Sequence, residues 1–378
     1  MGILEKVACL SYAPRRLMTQ LSRVIHDTSR AAGLTFGACM LLFASGAAAD
    51  AGVGLAREVF VDASRPTNPS PPFEGSSTRR LDTWIWYPAA VAPGLPVADA
   101  PFAEGGPWPL IVYSHGTYGR PDNASHFCEY LASRGYVVAA PAFPLTSRVA
   151  HTGLPAADVS DAGHQPGDVS FVIDSLLTDP RFGPAIDDKR IGATGISLGA
   201  ITTYFASFGF PSLDPRIKAS APIAAGDPPY AALSFGLGFE GTVHAPVSLP
   251  VMLLVGDADV FSSTTGGPRA AYARLASPKY MVEIRDAPHL WFGNNSNVPP
   301  GNLNPDCVWF KEHTQMLPPM CAERRPLIDP ARQKVIVRHA LTAFFDAYLK
   351  GRTDALSRIG AIGETFDEVT LHQEVSNP

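Results

Sequence analysis

Ile191-Gly192-Ala193-Thr194-Gly195-Ile196-Ser197-Leu198-Gly199-Ala200 is the stretch on which the fold turns. Its first six residues are small or apolar and read as a strand buried on both faces, while from Leu198 to Phe208 the apolar spacing becomes helical. The pattern Gly195-x-Ser197-x-Gly199 therefore falls where a strand hands over to a helix. On such a turn the serine is held in strained backbone angles with its side chain pushed outward, and the two glycines let strand and helix approach closely.

Working outward, short apolar or β-branched runs recur at 83–87, 110–114, 136–140, 217–222, 251–255 and 280–284, most of them flanked by Gly, Pro or Asp. Helical patterns lie between them at 125–134, 168–177, 198–208 and 268–276, with the longest at 330–349 before Gly351. Runs apolar on both faces and separated by helices predict an α/β domain whose central sheet is mostly parallel and covered by helices on both faces. No internal repeat appears, and the Pro-rich stretches at 66–77 and 93–109 read as surface connections, so residues 50–378 are expected to form one domain. In such sheets the chemistry is sought in the loops beyond the carboxyl ends of the strands.

Three of those loops carry candidate groups. A serine hydroxyl is a weak nucleophile and needs a base within hydrogen-bonding reach. His289, in Asp286-Ala287-Pro288-His289-Leu290-Trp291 after the last strand, is that candidate. After the strand at 251–255 the chain reads Gly256-Asp257-Ala258-Asp259-Val260, where two acids compete to orient the imidazole. Asp259, further into the loop, is preferred and Asp257 is the fallback. After the strand at 110–114, the turn His115-Gly116-Thr117-Tyr118-Gly119 can aim the Thr117 amide at a developing oxyanion, with the Leu198 amide as second donor. His115 is read as shaping the turn rather than as a second base. Tyr118 and Trp291 adjoin these positions and are the candidate substrate contacts, set against the alternative that both pack into the neighbouring structure.

These motifs resemble the α/β-hydrolases over about residues 79–350, and within them the platelet-activating-factor acetylhydrolase-like enzymes, bacterial dienelactone-hydrolase-like esterases and polyester-degrading cutinases. The run at 81–88, ending Trp86-Tyr87-Pro88, is similar to the same group. The chain order Ser197, Asp259, His289 matches the α/β-hydrolase order. Dienelactone hydrolases carry cysteine where Ser197 stands, which favours ordinary esters. The resemblance implies a serine carboxylic-ester hydrolase that works through an acyl-enzyme without a cofactor. A peptidase or amidase on the same fold, and a non-catalytic binding protein, are the alternatives. No Cys/His cluster has zinc spacing, and Asp257-x-Asp259 lacks the remaining ligands of a calcium loop, so no metal is expected.

The N-terminus reads as an address. Residues 31–49 carry no charge, follow Arg15, Arg16, Arg23 and Arg30, and end in Ala47-Ala48-Ala49. This is the layout of a signal peptide cleaved after Ala49, and a retained membrane anchor is the alternative. Met18 would provide a start with a shorter basic lead. The expected product is periplasmic or secreted, with no stable membrane insertion after cleavage. Cys307 and Cys321 bracket a Pro-containing loop that an oxidising compartment would let them close, and Cys128 reads as a buried small apolar residue.

Composition agrees. Among 378 residues, 46% are hydrophobic and 17% charged, which supports a packed core and excludes global disorder. The 33 Gly and 36 Pro show no triplet period, excluding a collagen-like chain. Thirty basic against 35 acidic residues, without a Lys/Arg run, argue against a nucleic-acid partner and leave a small-molecule, lipid or polymer ester as the expected one.

Overall fold

The computed structural model describes residues 50–239, 242–314 and 317–375. The proposed signal segment, residues 1–49, lies outside the described residues. Twelve strands are present among the described residues: β1 (Gly52–Asp62), β2 (Arg79–Ala89), β3 (Val97–Ala98), β4 (Trp108–Ser114), β5 (Val137–Ala142), β6 (Ile186–Ile196), β7 (Gly209–Phe210), β8 (Ile217–Ile223), β9 (Val243–His244), β10 (Val251–Gly256), β11 (Lys279–Ile284) and β12 (Val369–Glu374). Ten of them form one sheet in the order β12-β11-β10-β8-β6-β4-β5-β2-β1-β3. The six central strands, β11 through β5 in that order, are parallel, and β12 and β2 add antiparallel strands at its two flanks.

Between the strands run α1 (Ser125–Ser133), α2 (Gln165–Thr178), α3 (Leu198–Phe208), α4 (Pro228–Ser234), α5 (Val260–Thr264), α6 (Pro268–Arg274), α7 (Pro305–His313), α8 (Pro330–Tyr348), α9 (Thr353–Gly360) and α10 (Ile362–Thr365). Alternation along the strands decides which face each residue supplies. Ile111 and Tyr113 of β4, with Met252 and Leu254 of β10, meet α1 and α8 on one face. Leu110 and Val112 meet α2 on the other, and Val251, Leu253 and Val255 meet α3 and α6 there. Every residue of α3 is buried, including Ile201, Phe205 and Phe208, each worth about 1.5–3 kcal/mol of burial.

The seven strands and five helices read from sequence are all present. The main strands unread from sequence, β1 and β12, lie at or near the sheet edges. Both break their apolar residues with exposed polar ones, as at Arg57 beside buried Ala56 and at Thr370 beside buried Val369. A strand covered on one face needs apolar residues at only every second position, so it lacks the continuous run that marked the central strands. The described residues fall in one compact unit. Among them no helix is long and apolar enough to cross a membrane.

Candidate active site

Because β4, β6, β8, β10 and β11 are parallel, the loops that follow them open on the same edge of the sheet, and their ends are level. Ile196 of β6 pairs with Ile223 of β8, Leu254 of β10 pairs with Ile223, and Gly256 pairs with Ile284 of β11. Ser197, Asp259 and His289 all sit just past these ends.

Ser197 occupies the turn between β6 and α3 at φ 60°, ψ −121°, a conformation that costs a non-glycine residue about 1–3 kcal/mol. Its surroundings hold it there. The Ser197 amide donates to Ile223 O at 3.0 Å, and its carbonyl accepts from the amides of Ala200 and Ile201. A methyl group on Gly195 would stand 2.3 Å from Gly199 O, and one on Gly199 would stand 2.0 Å from Ser114 O. Both glycines of the motif are thus required by close main-chain approach.

The turn after β4 lies against the serine: a methyl group on Gly116 would meet Ser197 Cβ at 3.2 Å. His115 is buried. Its Nδ1 donates to Gly116 O at 2.8 Å and its Nε2 accepts from the Phe143 amide at 3.2 Å, which together define one neutral tautomer. Burial pushes its pKa down to about 4 against a smaller opposing effect of the Gly116 carbonyl, so it stays neutral and braces the turn. The Thr117 and Leu198 amides have no acceptor among the described residues. Tyr118 has φ 52° and is half-buried, with its hydroxyl donating to Leu154 O at 3.1 Å.

Asp259 caps α5. One carboxylate oxygen accepts from the Ser262 amide at 2.8 Å; the other accepts from Ser262 Oγ at 2.7 Å and from His289 Nδ1 at 2.9 Å. Asp257 does not reach the ring. It accepts from the Asp286 amide at 2.6 Å and pairs with Arg325 at 2.9 Å, while Arg325 also binds Asp286 at 2.7 Å. Of the two acids, Asp259 meets the imidazole, and Asp257 ties the ends of β10 and β11 together.

His289 is 7% exposed. Because its Nδ1 faces a carboxylate, that nitrogen carries the hydrogen and Nε2 is left as the acceptor. Burial pushes the ring's pKa down, but the charge and hydrogen bond of Asp259, with the charge of Asp306, overcome this and hold it above the ordinary histidine value. Nε2 has no partner among the described residues, and no hydrogen bond joins it to Ser197 Oγ. The ring packs on Phe261 with centroids 4.6 Å apart, and Phe261 in turn contacts Trp309 and Phe310.

Trp291 lies close in sequence to His289 but is turned inward. It is 1% exposed in the core, and its Nε1 donates to Asn297 O at 3.0 Å. Cys128 is buried as expected. Cys307 and Cys321 are joined, with Cα atoms 5.6 Å apart. The residue that went unread is Asp306, fully buried beside His289. Its signal was present in Asn304-Pro305-Asp306, a capping residue followed by proline and an acid, which starts α7. Among the described residues no group of three or more His, Cys, Asp or Glu side chains is arranged to hold a metal ion.

Residues 93–156 match the model of a family described as platelet-activating factor acetylhydrolase, isoform II. Comparison with curated proteins gives no match. Among solved structures, the ferulic acid esterase from Streptomyces cinnamoneus superposes with a TM-score of 0.59 at 22% identity, covering 80% of this chain and 91% of that one. With the sheet order described above, this likeness gives the chain the α/β-hydrolase fold.

Proposed function

We propose that this protein is a serine carboxylic-ester hydrolase in which Ser197 is the nucleophile, His289 the general base and Asp259 the residue that orients it. The observation that carries the reading is the 2.9 Å bond between His289 Nδ1 and Asp259, buried at the same sheet edge as a serine in a strained strand-to-helix turn. The partial family match and the esterase fold neighbour support the same class. In this reading Nε2 takes the proton of Ser197 Oγ as the oxygen attacks an ester carbonyl. The bond this needs is often formed only with substrate in place. The carbonyl oxygen gains negative charge and is held by the amides of Thr117 and Leu198, which have no other partner to give up among the described residues. Asp259 stabilises the imidazolium, the alcohol departs with the proton from His289, and water then cleaves the acyl-enzyme with His289 again as base.

Tyr118 is the remaining candidate substrate contact. The aromatic row of Phe261, Trp309 and Phe310 beside the base supports substrates bearing an apolar or aromatic group. We propose further that the chain is exported and loses residues 1–49. The Cys307–Cys321 disulfide supports an oxidising compartment. N-terminal sequencing of the mature protein should then begin at Asp50.

Hydrolysis of a p-nitrophenyl ester series, with fluorophosphonate labelling, tests the activity. Ser197→Ala should abolish labelling, and Ser197→Ala and His289→Ala should each lower kcat on the order of 10⁴-fold or more. Because the base works neutral and its pKa is raised, the acid limb of kcat/KM should lie above the roughly 6.5 of free histidine. Undiminished turnover in either variant would refute the assignment.

A further inference from the structure

Asp306 sits on α7, outside every motif of the proposed site, yet it joins the two loops that carry the acid and the base. One of its carboxylate oxygens accepts from the Val260 amide at 3.1 Å and the His289 amide at 2.9 Å; the other accepts from the Leu290 amide at 3.1 Å. Val260 directly follows Asp259, and the residue contacts both loops from 46 and 17 positions away in sequence. We propose that Asp306 is a positioning residue which locks the Asp259 and His289 loops into one register and adds a second negative charge in support of the imidazolium. This rests on the hydrolase reading above.

The chemistry favours that role over simple fastening. Three backbone N–H groups converge on one side chain, and only a carboxylate offers acceptors on both of its terminal atoms. An asparagine would turn its own N–H₂ toward at least one of those donors. A fully buried carboxylate beside another carboxylate is costly to keep. Burial and the charge of Asp259 push Asp306 up to about 6, against His289 and the amides that pull it down. An uncharged fastening would avoid this cost but would give the ring no second counter-charge.

Further contacts set Asp306 in place. Asn304 accepts from the Asp306 amide at 2.9 Å and donates to Ala258 O at 2.8 Å, so with the Val260–Asp306 bond the start of α7 is tied to the acid loop twice. Cys307, the next residue, is bonded to Cys321. The charged groups that act on the ring are Asp259 and Asp306. Lys311, Glu312 and His313, on the same helix, are exposed, and Arg325 is engaged with Asp257 and Asp286.

The test is kcat, KM and their pH profiles with a p-nitrophenyl ester, measured with thermal melting on the disulfide-intact protein. Asp306→Asn should lower kcat by about 10- to 100-fold with KM little changed. Since the base must be neutral to act, removing a charge that raises its pKa should also move the acid limb to lower pH. Asp306→Glu keeps the charge and should return the limb to its wild-type position. A limb unmoved in Asp306→Asn, or a kcat unchanged, would overturn the proposal. If Asp306→Asn fails to fold, Asn304→Ala decides. It loosens α7 from the acid loop but leaves the carboxylate, so kcat should fall several-fold with the limb in place, and an unchanged kcat there overturns the proposal too. Failure of the hydrolase reading itself would look different, since wild type and Ser197→Ala would then react alike with ester and fluorophosphonate.

Discussion

The two halves of the proposed site are built in opposite ways. On the Ser197 side, the main chain does the positioning over short distances: Gly195, Gly199 and Gly116 are packed against Gly199 O, Ser114 O and Ser197 itself, respectively, and His115 braces its own turn. On the His289 side the loops are held by side chains that arrive from far along the sequence. Asp306 grips the loops after β10 and β11, and Arg325 clamps Asp257 to Asp286 from 68 and 39 positions away. The serine half therefore depends on the absence of side chains, and the base half on the presence of particular ones.

The sharpest break of this comparison is Asp259→Asn. The bond to His289 Nδ1 then favours the wrong tautomer, and kcat on an activated ester should fall on the order of 10⁴-fold while the fold persists. A loss under about tenfold would mean that the base half is not organised by this contact. Next comes Gly199→Ala, which asks Ser114 O and the new methyl group to separate from 2.0 Å. Overpacking of main chain on main chain should cost more than about 3 kcal/mol in urea unfolding, and wild-type stability would remove the argument from close approach. Replacing Cys307 and Cys321 together by serine should cost about 3 kcal/mol from the reopened loop. Its effect on turnover should exceed its effect on fluorophosphonate-independent binding of a substrate analogue, because the loop holds Asp306. The smallest effect is expected of Asp257→Asn. Arg325 keeps Asp286, the pair is partly solvated, and stability should change by less than about 1 kcal/mol with kcat within about threefold. A larger loss of kcat at Asp257 than at Asp259 would reverse their roles.

The same contrast explains what could be read in advance. The Gly-x-Ser-x-Gly turn and the His115-Gly116 turn are contiguous in sequence, and their geometry follows from residues that are one to four positions apart. The six parallel strands were legible for a related reason, since burial on both faces demands unbroken apolar runs. Asp259 could be preferred to Asp257 only for lying further into the loop, because both follow the same strand and differ chiefly in what each meets across it. Trp291 looked like a neighbour of the site because it is two residues from His289, whereas its indole is turned into the core. Asp306 could not be connected to His289 at all: its helix went unread, and nothing local says which loop the first acid of that helix will face.

By itself, then, the amino-acid sequence determined the parallel α/β sheet, the serine on its strand-to-helix turn, and the histidine and acids waiting beyond later strands. Those are consequences of periodicity and of glycine placement, which act over a few residues. Which of the two acids meets His289, the burial of Trp291, and the loop contacts of Asp306 and Arg325 were decided only when the chain closed up. Hydrogen bonds between loops tens of residues apart depend on where both ends are carried by the packing of the sheet and its helices, and no local pattern encodes that.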